Sequence, residues 1–587
     1  MISKYLISTP LELTWPKNLE SKLIFASESA ILTSDGKQKK YSSYFINDFR
    51  WKDKKKLEDD FNYLNDIYEK LLDLFCKELN VKHKTNYSER FWRILIGPWL
   101  SCFIHVYFER WKNIETIFSN HTVDKCIFLD FDESNFVSLD NREFSNYISS
   151  DIWNQFLYQS IIKIFLNKDK IEVVKYNDLQ QKKKLKESSF LFQSHKNNFT
   201  LKNLFLSFFN FFDKSNYEYL IYKSSIGFKN ELNLSLKFNQ FPLFFLPKLR
   251  INKNKDKIKI REQFTNLFKA KNNFEKNLFD NLIQQFPKIY LEHFDDLENY
   301  LKKTNLPKKP KAIFTSHALW YDTKATFYIA KMTELNSKIY CGQHGGAFGI
   351  SKIHWPEKHE KKISDKFLSW GWNNVQKNIK PFYVQKNLKM MDLKRNKNLI
   401  MLKMRKRYFH SLDSSSGTEK YSDFISNVSK FLFHLDKPIK DRTVLRVPPS
   451  SDNFNSVDYY SDLKGSFNFD NSENLNKAYC SSKVVVHPSN STTLLETMYL
   501  DIPTLIVLNK NNNPISDLAL DYFKELESAK VLFYDPLEAA TFLNKIWEND
   551  INVWWNDFKT KKATLSFVKN FANKSENLVE DLFKILK

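Results

Sequence analysis

Glycine is scarce in this chain, with 10 in 587 residues. That excludes collagen-like and glycine-rich repeat architectures, and no fixed period recurs along the sequence. Cysteine is scarce too. The five, Cys76, Cys102, Cys126, Cys341 and Cys480, are odd in number and include no C-x-x-C pair. This points away from a disulfide framework or structural zinc and toward a reducing cytosol. The opening MISKYLISTP lacks the apolar core of a signal peptide. Long apolar runs are missing as well. The best stretch, Phe91 to Phe108, is interrupted by Arg93, Gly97-Pro98 and His105, short of the ~20 residues a spanning helix needs. Any membrane contact is expected to be peripheral. Two phosphate-binding signatures are also absent: G-x-x-x-x-G-K-[ST], and G-x-G-x-x-G opening a helix.

What is present is a long globular chain, 42% hydrophobic and 16% aromatic. At roughly 100–200 residues per domain it should hold about three units. The net charge of +22 raises a nucleic-acid or membrane partner. The lysines, however, are spread along the chain and alternate with acids, as in Trp51 to Asp60. The densest basic runs, Gln181 to Lys186, Ile251 to Arg261 and Lys302 to Lys311, read as loops and solvated faces. A nucleic-acid partner is not expected. Weak attraction to anionic headgroups or an anionic substrate fits the charge.

In chain order, Lys4 to Ser8, Leu23 to Ala26, Cys126 to Leu129 and Ile171 to Tyr176 read as strands. Leu57 to Leu79 has helical apolar spacing. Tyr87 to Trp111 reads as one or two buried helices, broken or kinked at Gly97-Pro98. The Phe-rich Leu201 to Asp213 reads as core. From Lys311 strand and helix alternate: Ala312 to Thr315, Asp322 to Leu335, Lys338 to Cys341, Lys366 to Trp370. Asn373 to Asn396 reads as an interdomain linker, and a second series runs from Leu399 to the end. This pattern predicts an α/β fold: two Rossmann-like domains facing a cleft, with helical additions in the N-terminal half. The expected divisions are 1–378, 379–555 and a C-terminal helical segment, 556–587, packing back across the domains.

Two stretches could carry chemistry. The first is Lys483 to Leu508, a strand, turn, helix and strand. Its turn, with Ser489, Asn490, Ser491 and Thr492, lies at a strand's carboxyl end and a helix's amino end. Backbone N–H groups and the helix dipole favour an anion there. Glu496, one turn into the helix, is in reach of a ribose. The second is the loop after Lys338 to Cys341, where four of the ten glycines fall between Gly342 and Gly349. His344, flanked by Gln343, Gly345 and Gly346, is a candidate general base or hydrogen-bond partner of an acceptor. Arg405 and Arg446 stand at strands of the second series, where a charge needs a partner or an anion. His317, at the end of another strand, could line the same cleft.

These pieces together resemble a bacterial transferase family of leptospiral type, found in surface-polysaccharide loci. The resemblance is carried by Thr14-Trp15-Pro16, by Arg90 to Leu100, by Gln343-His344-Gly345-Gly346, by Asn490-Ser491-Thr492-Thr493 with Leu495-Glu496-Thr497, by Ile502-Pro503-Thr504 and by Trp554-Trp555. It implies a GT-B-like glycosyltransferase, with the donor nucleotide mainly on the C-terminal domain and no obligatory metal. It further implies a nucleotide-sugar donor as co-substrate, no other cofactor, and a saccharide acceptor of O-antigen or capsule type, lipid-linked at the cytoplasmic face of the inner membrane. His487-Pro488 resembles the His-Pro motif of bacterial sialyltransferases, which would place His487 at a phosphate and make a CMP-linked donor a candidate. The alternatives are a polyol-phosphate transferase or nucleotide-sugar epimerase of the same shape and, in another class, a basic nucleic-acid-binding protein.

Overall fold

A computed structural model of the chain describes residues 3–18, 20–31, 44–176, 212–252, 258–264, 267–402, 408–412, 420–447, 460, 463, 465–470, 472, 474–510, 514–548 and 551–587. The basic run at 181–186 and most of the Phe-rich stretch at 201–211 lie outside these residues, as does Arg405.

Three parallel sheets organise the protein. The first contains β1 (Lys4–Ile7), β2 (Lys22–Phe25), β3 (Tyr44–Ile46), β4 (Lys125–Asp130) and β5 (Ile171–Lys175), ordered β3-β2-β1-β4-β5. The second contains β6 (Tyr219–Ile221), β7 (Ala312–Thr315), β8 (Lys338–Gly342), β9 (Lys366–Ser369) and β10 (Ile379–Pro381), ordered β10-β9-β8-β7-β6. The third contains β11 (Lys397–Met401), β12 (Thr443–Arg446), β13 (Asn468–Asp470), β14 (Ser482–His487), β15 (Thr504–Val507) and β16 (Leu532–Phe533), ordered β13-β12-β11-β14-β15-β16. Every pairing is parallel. Such sheets are covered on both faces, which is why β7 and β15 are buried at all four positions.

The α/β class and parallel sheets match the expectation from sequence, and two details of the N-terminal half differ. Residues 1–378 hold two sheets where one was expected. The strands of the first are only three to six residues long, and two long helices stand between β3 and β4. Periodicity therefore shows isolated strands and not their pairing. In addition, the polar stretch from Asn373 contains β10, paired with β9 from Ile379 to Pro381. The middle sheet thus reaches past residue 378 into what reads as linker.

The middle sheet runs in strictly sequential order, so right-handed crossovers advance in one direction across it. One of its faces is completed from the far end of the chain. Val579, Leu582 and Leu586 of the last helix, Leu578–Leu586, join Ile221, Phe314, Tyr340 and Leu368 in one buried cluster.

A central helix, Glu89–Asn120, joins the first two sheets. It packs on Lys54–His83, on Asp151–Phe165 beside the first sheet, and on Thr323–Glu334 beside the second. Among the described residues it is the one helix long and apolar enough to cross a membrane, yet 94% of its most apolar window is buried inside the protein. Its polar exceptions are partnered. Arg93 binds Glu69 and Glu89, and Arg110 donates to Asn154 Oδ1 and to the Phe409 carbonyl. His105 Nδ1 accepts the Leu412 N–H at 3.3 Å, and burial holds its pKa down at about 3. Through these contacts Tyr408–Leu412, the segment that follows β11, is seated on the central helix.

The helix continues through Pro98 as one element, so the stretch is one helix and is not broken there. Proline removes one backbone hydrogen bond, and side chains packed on all sides hold the helix together across it. Gly97 has its own cause: a Cβ there would stand 2.7 Å from Tyr68 Oη and 2.9 Å from His359 Cε1. Another correction concerns the basic run ending at Arg261. Arg261 is 2% exposed and forms a buried pair with Glu292 at 2.9 Å, not a solvated face.

Alanine is a better helix former than glycine by about 1 kcal/mol. Gly97→Ala should nonetheless lower Tm, because overpacking costs about 1–3 kcal/mol. Thermal unfolding of the variant checks this; an unchanged or raised Tm would show that the close approach of Tyr68 and His359 is not limiting.

Candidate active site

A cavity of about 880 Å³ is lined by residues from the regions of all three sheets. In the third sheet the chain runs from β11 outward to β13, then crosses to β14 and runs outward to β16. The switch point is therefore between β11 and β14, the position at which open α/β sheets bind ligands. Met401 and Leu402 at the end of β11, and Ser489 to Thr493 after β14, line the cavity. The helix Thr492–Tyr499 begins there. Ser491 is its N-cap residue but makes no side-chain cap; its hydroxyl bonds Thr493 Oγ1 at 2.7 Å. Arg446 also reaches the wall, where Nη1 binds Asp470 at 2.9 Å and Ser472 Oγ at 3.0 Å. The guanidinium is thus fixed and charge-paired.

The loop after β8 supplies the facing wall, with His344, Gly345 and Gly346. It touches the turn after β14 directly: the Gly346 N–H donates to Thr492 Oγ1 at 3.0 Å. A Cβ on Gly346 would stand 2.7 Å from the Ser491 carbonyl and from Thr492 Cα. Only glycine permits this approach of two backbones. Further along, the same loop is bonded to the segment between β15 and β16 of the third sheet. Lys352 N–H donates to the Pro514 carbonyl at 2.9 Å, and Ser516 N–H to the Ile350 carbonyl at 2.8 Å. Ser351 and Ile515 form an antiparallel bridge.

His344 stands at the cavity wall, its side chain 17% exposed. Burial holds its pKa well below the ordinary histidine value, helped by His317, His354 and Lys386, with the Gly342 carbonyl acting the other way. The ring is therefore neutral. His317, open to the cavity, stands 4.7 Å away ring to ring. Its pKa is lowered to about 4 by desolvation, then by Lys386 and Lys223.

Three sequence candidates turn away from the cavity. Gln343 is fully buried. It accepts from Trp370 N and Trp372 Nε1 at 2.9 and 2.8 Å and donates to the Gly345 carbonyl at 2.8 Å, so it braces the loop. His487 does not meet a ligand position either. It is fully buried, with Nε2 2.9 Å from Thr497 Oγ1 and Nδ1 3.3 Å from Thr493 Oγ1, and burial lowers its pKa to about 3. As the last residue of a strand buried on both faces, it points into the helix packed above the sheet. Glu496 is likewise engaged inside the protein, where a ribose contact was expected. Lys386 Nζ binds Oε1 at 2.5 Å, and the Tyr479 hydroxyl donates to Oε2 at 2.8 Å.

The structure adds residues that sequence reasoning missed. The helix Trp355–Ile363 and the residue before it bring His354 and Trp355 to the cavity wall, joined by Trp320 and Phe348. Glu360 of the same helix is buried; its Oε1 accepts from Trp320 Nε1 at 2.6 Å and lies 3.7 Å from His344 Nδ1. Burial raises its pKa to about 8. The signal was available, since four of the chain's twelve histidines fall between His317 and His359. The helix Asn141–Tyr147, which stands between β4 and β5 in the chain, contributes Asn141, Arg142 and Phe144, so the region of the first sheet is part of the site. Among the described residues no three His, Cys, Asp or Glu side chains cluster as metal ligands.

Two measurements follow. Gly346→Ala should force the loop and turn apart and abolish activity while the three sheets remain folded; full activity would show the contact to be dispensable. His105, His354, His359 and His487 all have folded pKa values near 3, below the ~6.5 of an unfolded chain. Their contribution to stability is present above that value and is lost as pH falls through it toward 3. Glu360 and Glu231, raised to about 8 and about 7, act oppositely but are outnumbered. Tm should therefore fall between about pH 6.5 and 5; a flat profile would contradict the neutral, buried histidines.

No curated protein matched the chain. Among solved structures it is similar to the spinosyn forosaminyltransferase SpnP, at 10% identity and TM-score 0.30, covering 63% of this chain and 91% of that one. It is similar to MurG of Acinetobacter baumannii at 9% identity and TM-score 0.29, covering 63% and 98%. It is also similar to the wall teichoic acid polymerase TagF at 9% identity and TM-score 0.30, covering 70% and 97%. Likenesses this slight add no argument to the topology above. The sequence itself is matched from residue 4 to residue 586 by the family described as LIC12162 family transferase, and the chain belongs to that family of transferases.

Proposed function

We propose that this transferase is a metal-independent glycosyltransferase that moves a sugar from a nucleotide-activated donor to a saccharide acceptor of surface-polysaccharide type. One observation carries the reading: Gly346 meets Thr492, so His344 and the amino end of the Thr492 helix open into one cavity. The donor phosphate sits at Ser489 to Thr493. There the backbone N–H groups and the helix dipole stabilise charge on the leaving group, and Arg446 adds its guanidinium at the same wall. The acceptor oxygen attacks the anomeric carbon as the carbon–oxygen bond to phosphate breaks, and the phosphate departs with the electron pair. His344 holds the acceptor hydroxyl and takes its proton. An imidazole held this neutral is a weak base, so proton transfer comes late, as the new bond forms. Trp320, Trp355 and Phe348 give the facing wall the flat apolar surface that sugar rings cover. The same reading places the protein at the cytoplasmic side of the inner membrane with a lipid-linked acceptor, in O-antigen or capsule assembly. Because His487 faces inward, the His-Pro pair gives no ground for preferring CMP over UDP, GDP or dTDP.

A ligand that binds the folded state alone raises its stability. One of the nucleotides CMP, UDP, GDP or dTDP should raise Tm, and Thr492→Val should diminish that rise. His344→Ala should leave the rise intact and slow sugar transfer by about 10²–10⁴-fold. Absence of a shift with all four nucleotides would refute the reading.

A further inference from the structure

We propose that Glu360, which touches no substrate, is a positioning residue that sets which ring nitrogen of His344 carries the proton. The inference rests on the reading of His344 as the group at the acceptor hydroxyl. Its basis is a pair of buried atoms: His344 Nδ1 and Glu360 Oε2 each lack a hydrogen-bond partner. They belong to side chains whose nearest approach is 3.7 Å, from Nδ1 to Oε1. Buried polar groups are rarely left unsatisfied, and here each side chain can satisfy the other with one shared proton. A rotamer adjustment of under about 1 Å brings them to hydrogen-bond distance. Glu360 cannot drift away, because Trp320 Nε1 grips Oε1 at 2.6 Å.

Two arrangements are possible, and they do opposite chemistry. With Glu360 protonated, its O–H donates to Nδ1. The His344 proton is then on Nε2, and the ring offers the cavity a hydrogen-bond donor. With Glu360 ionised, the carboxylate accepts from Nδ1–H, and Nε2 offers the cavity a lone pair. Between them the carboxyl proton moves to Nδ1 and the Nε2 proton leaves to solvent, so the pair loses one proton in all. Only the second arrangement can take a proton from an acceptor.

The neighbours decide where the change falls. Glu360 is buried, and Glu357 on its own helix disfavours a second negative charge; the Cys341 thiol on β8 nearby keeps its proton. On the imidazole side, His317, His354 and Lys386 oppose a cation, and His359 beside Glu360 is itself neutral. The pair therefore switches without passing through imidazolium, and Glu360 titrates at about 8. Below that pH His344 is a donor, and above it an acceptor. Transfer activity should accordingly rise with pH through this region.

The test reads the tautomer directly. In protein labelled with ¹⁵N-histidine, long-range ¹H–¹⁵N correlation distinguishes the two nitrogens, and His344→Gln identifies the signal. His344 should carry its proton on Nε2 at about pH 6.5 and on Nδ1 at about pH 9. In Glu360→Gln the amide N–H donates to Nδ1 at every pH. The signal should stay in the Nε2–H form, and activity should lose its rise. Trp320→Phe retains the carboxyl but removes an N–H that favours the carboxylate, so the transition should move to higher pH. A wild-type tautomer unchanged across this range, or one that still switches in Glu360→Gln, would overturn the proposal. Neither readout needs a nucleotide or a sugar, so failure of the glycosyltransferase reading would show separately, in the nucleotide thermal shifts.

Discussion

The site depends on one close approach, that of the Gly346 backbone to the Ser491–Thr492 backbone. Everything that could react is arranged around it. The loop is held from behind by Gln343, which ties it to Trp370 and Trp372 of the middle sheet. The turn is held from behind by His487, lodged against Thr493 and Thr497. Two residues that look like ligand contacts in the sequence are thus the props that keep the two surfaces 3.0 Å apart. Removing the props would alter the spacing without removing any group that faces the cavity.

How much of this was legible follows from how local each signal is. The turn and helix after β14 were legible because strand, turn and helix succeed one another within 26 residues of sequence, from Lys483 to Leu508. The loop at His344 stood out because glycines crowd there in a glycine-poor chain. The direction of His487 was not legible. In a strand buried on both faces, alternation carries no inward or outward contrast. Nor was the partner of Glu496, since Lys386 lies 110 positions away in a stretch that reads as polar linker. The first sheet was hidden for a similar reason: β3 and β4 are separated by two long helices, and nothing in either strand records its neighbour.

Electrostatically the charged side chains of the site other than Arg142 are paired, despite the chain's excess of lysine. Arg446 is matched by Asp470, Lys223 by Asp322 at 2.6 Å, and Lys386 by Glu496. His317, His344 and His354 are held uncharged by burial. A charged ligand in this cavity would therefore meet fixed dipoles and pre-formed pairs, which need little rearrangement. The net charge of +22 describes the surface, not the chemistry.

The seating of Tyr408–Leu412 on the central helix has a consequence for how such a protein could be rebuilt. The segment leaves the third sheet at the end of β11, beside the switch point, and is fastened to the first domain by Arg110, His105 and Cys102. The final helix likewise returns from the third domain to finish the middle sheet. The chain is thus stitched in both directions, and no single cut separates the third sheet with its helices from the rest. Exchange of specificity between relatives by swapping domains, which works where two lobes merely face one another, would here tear both. New specificity in this scaffold has to be made in place, by changing side chains along the cavity wall.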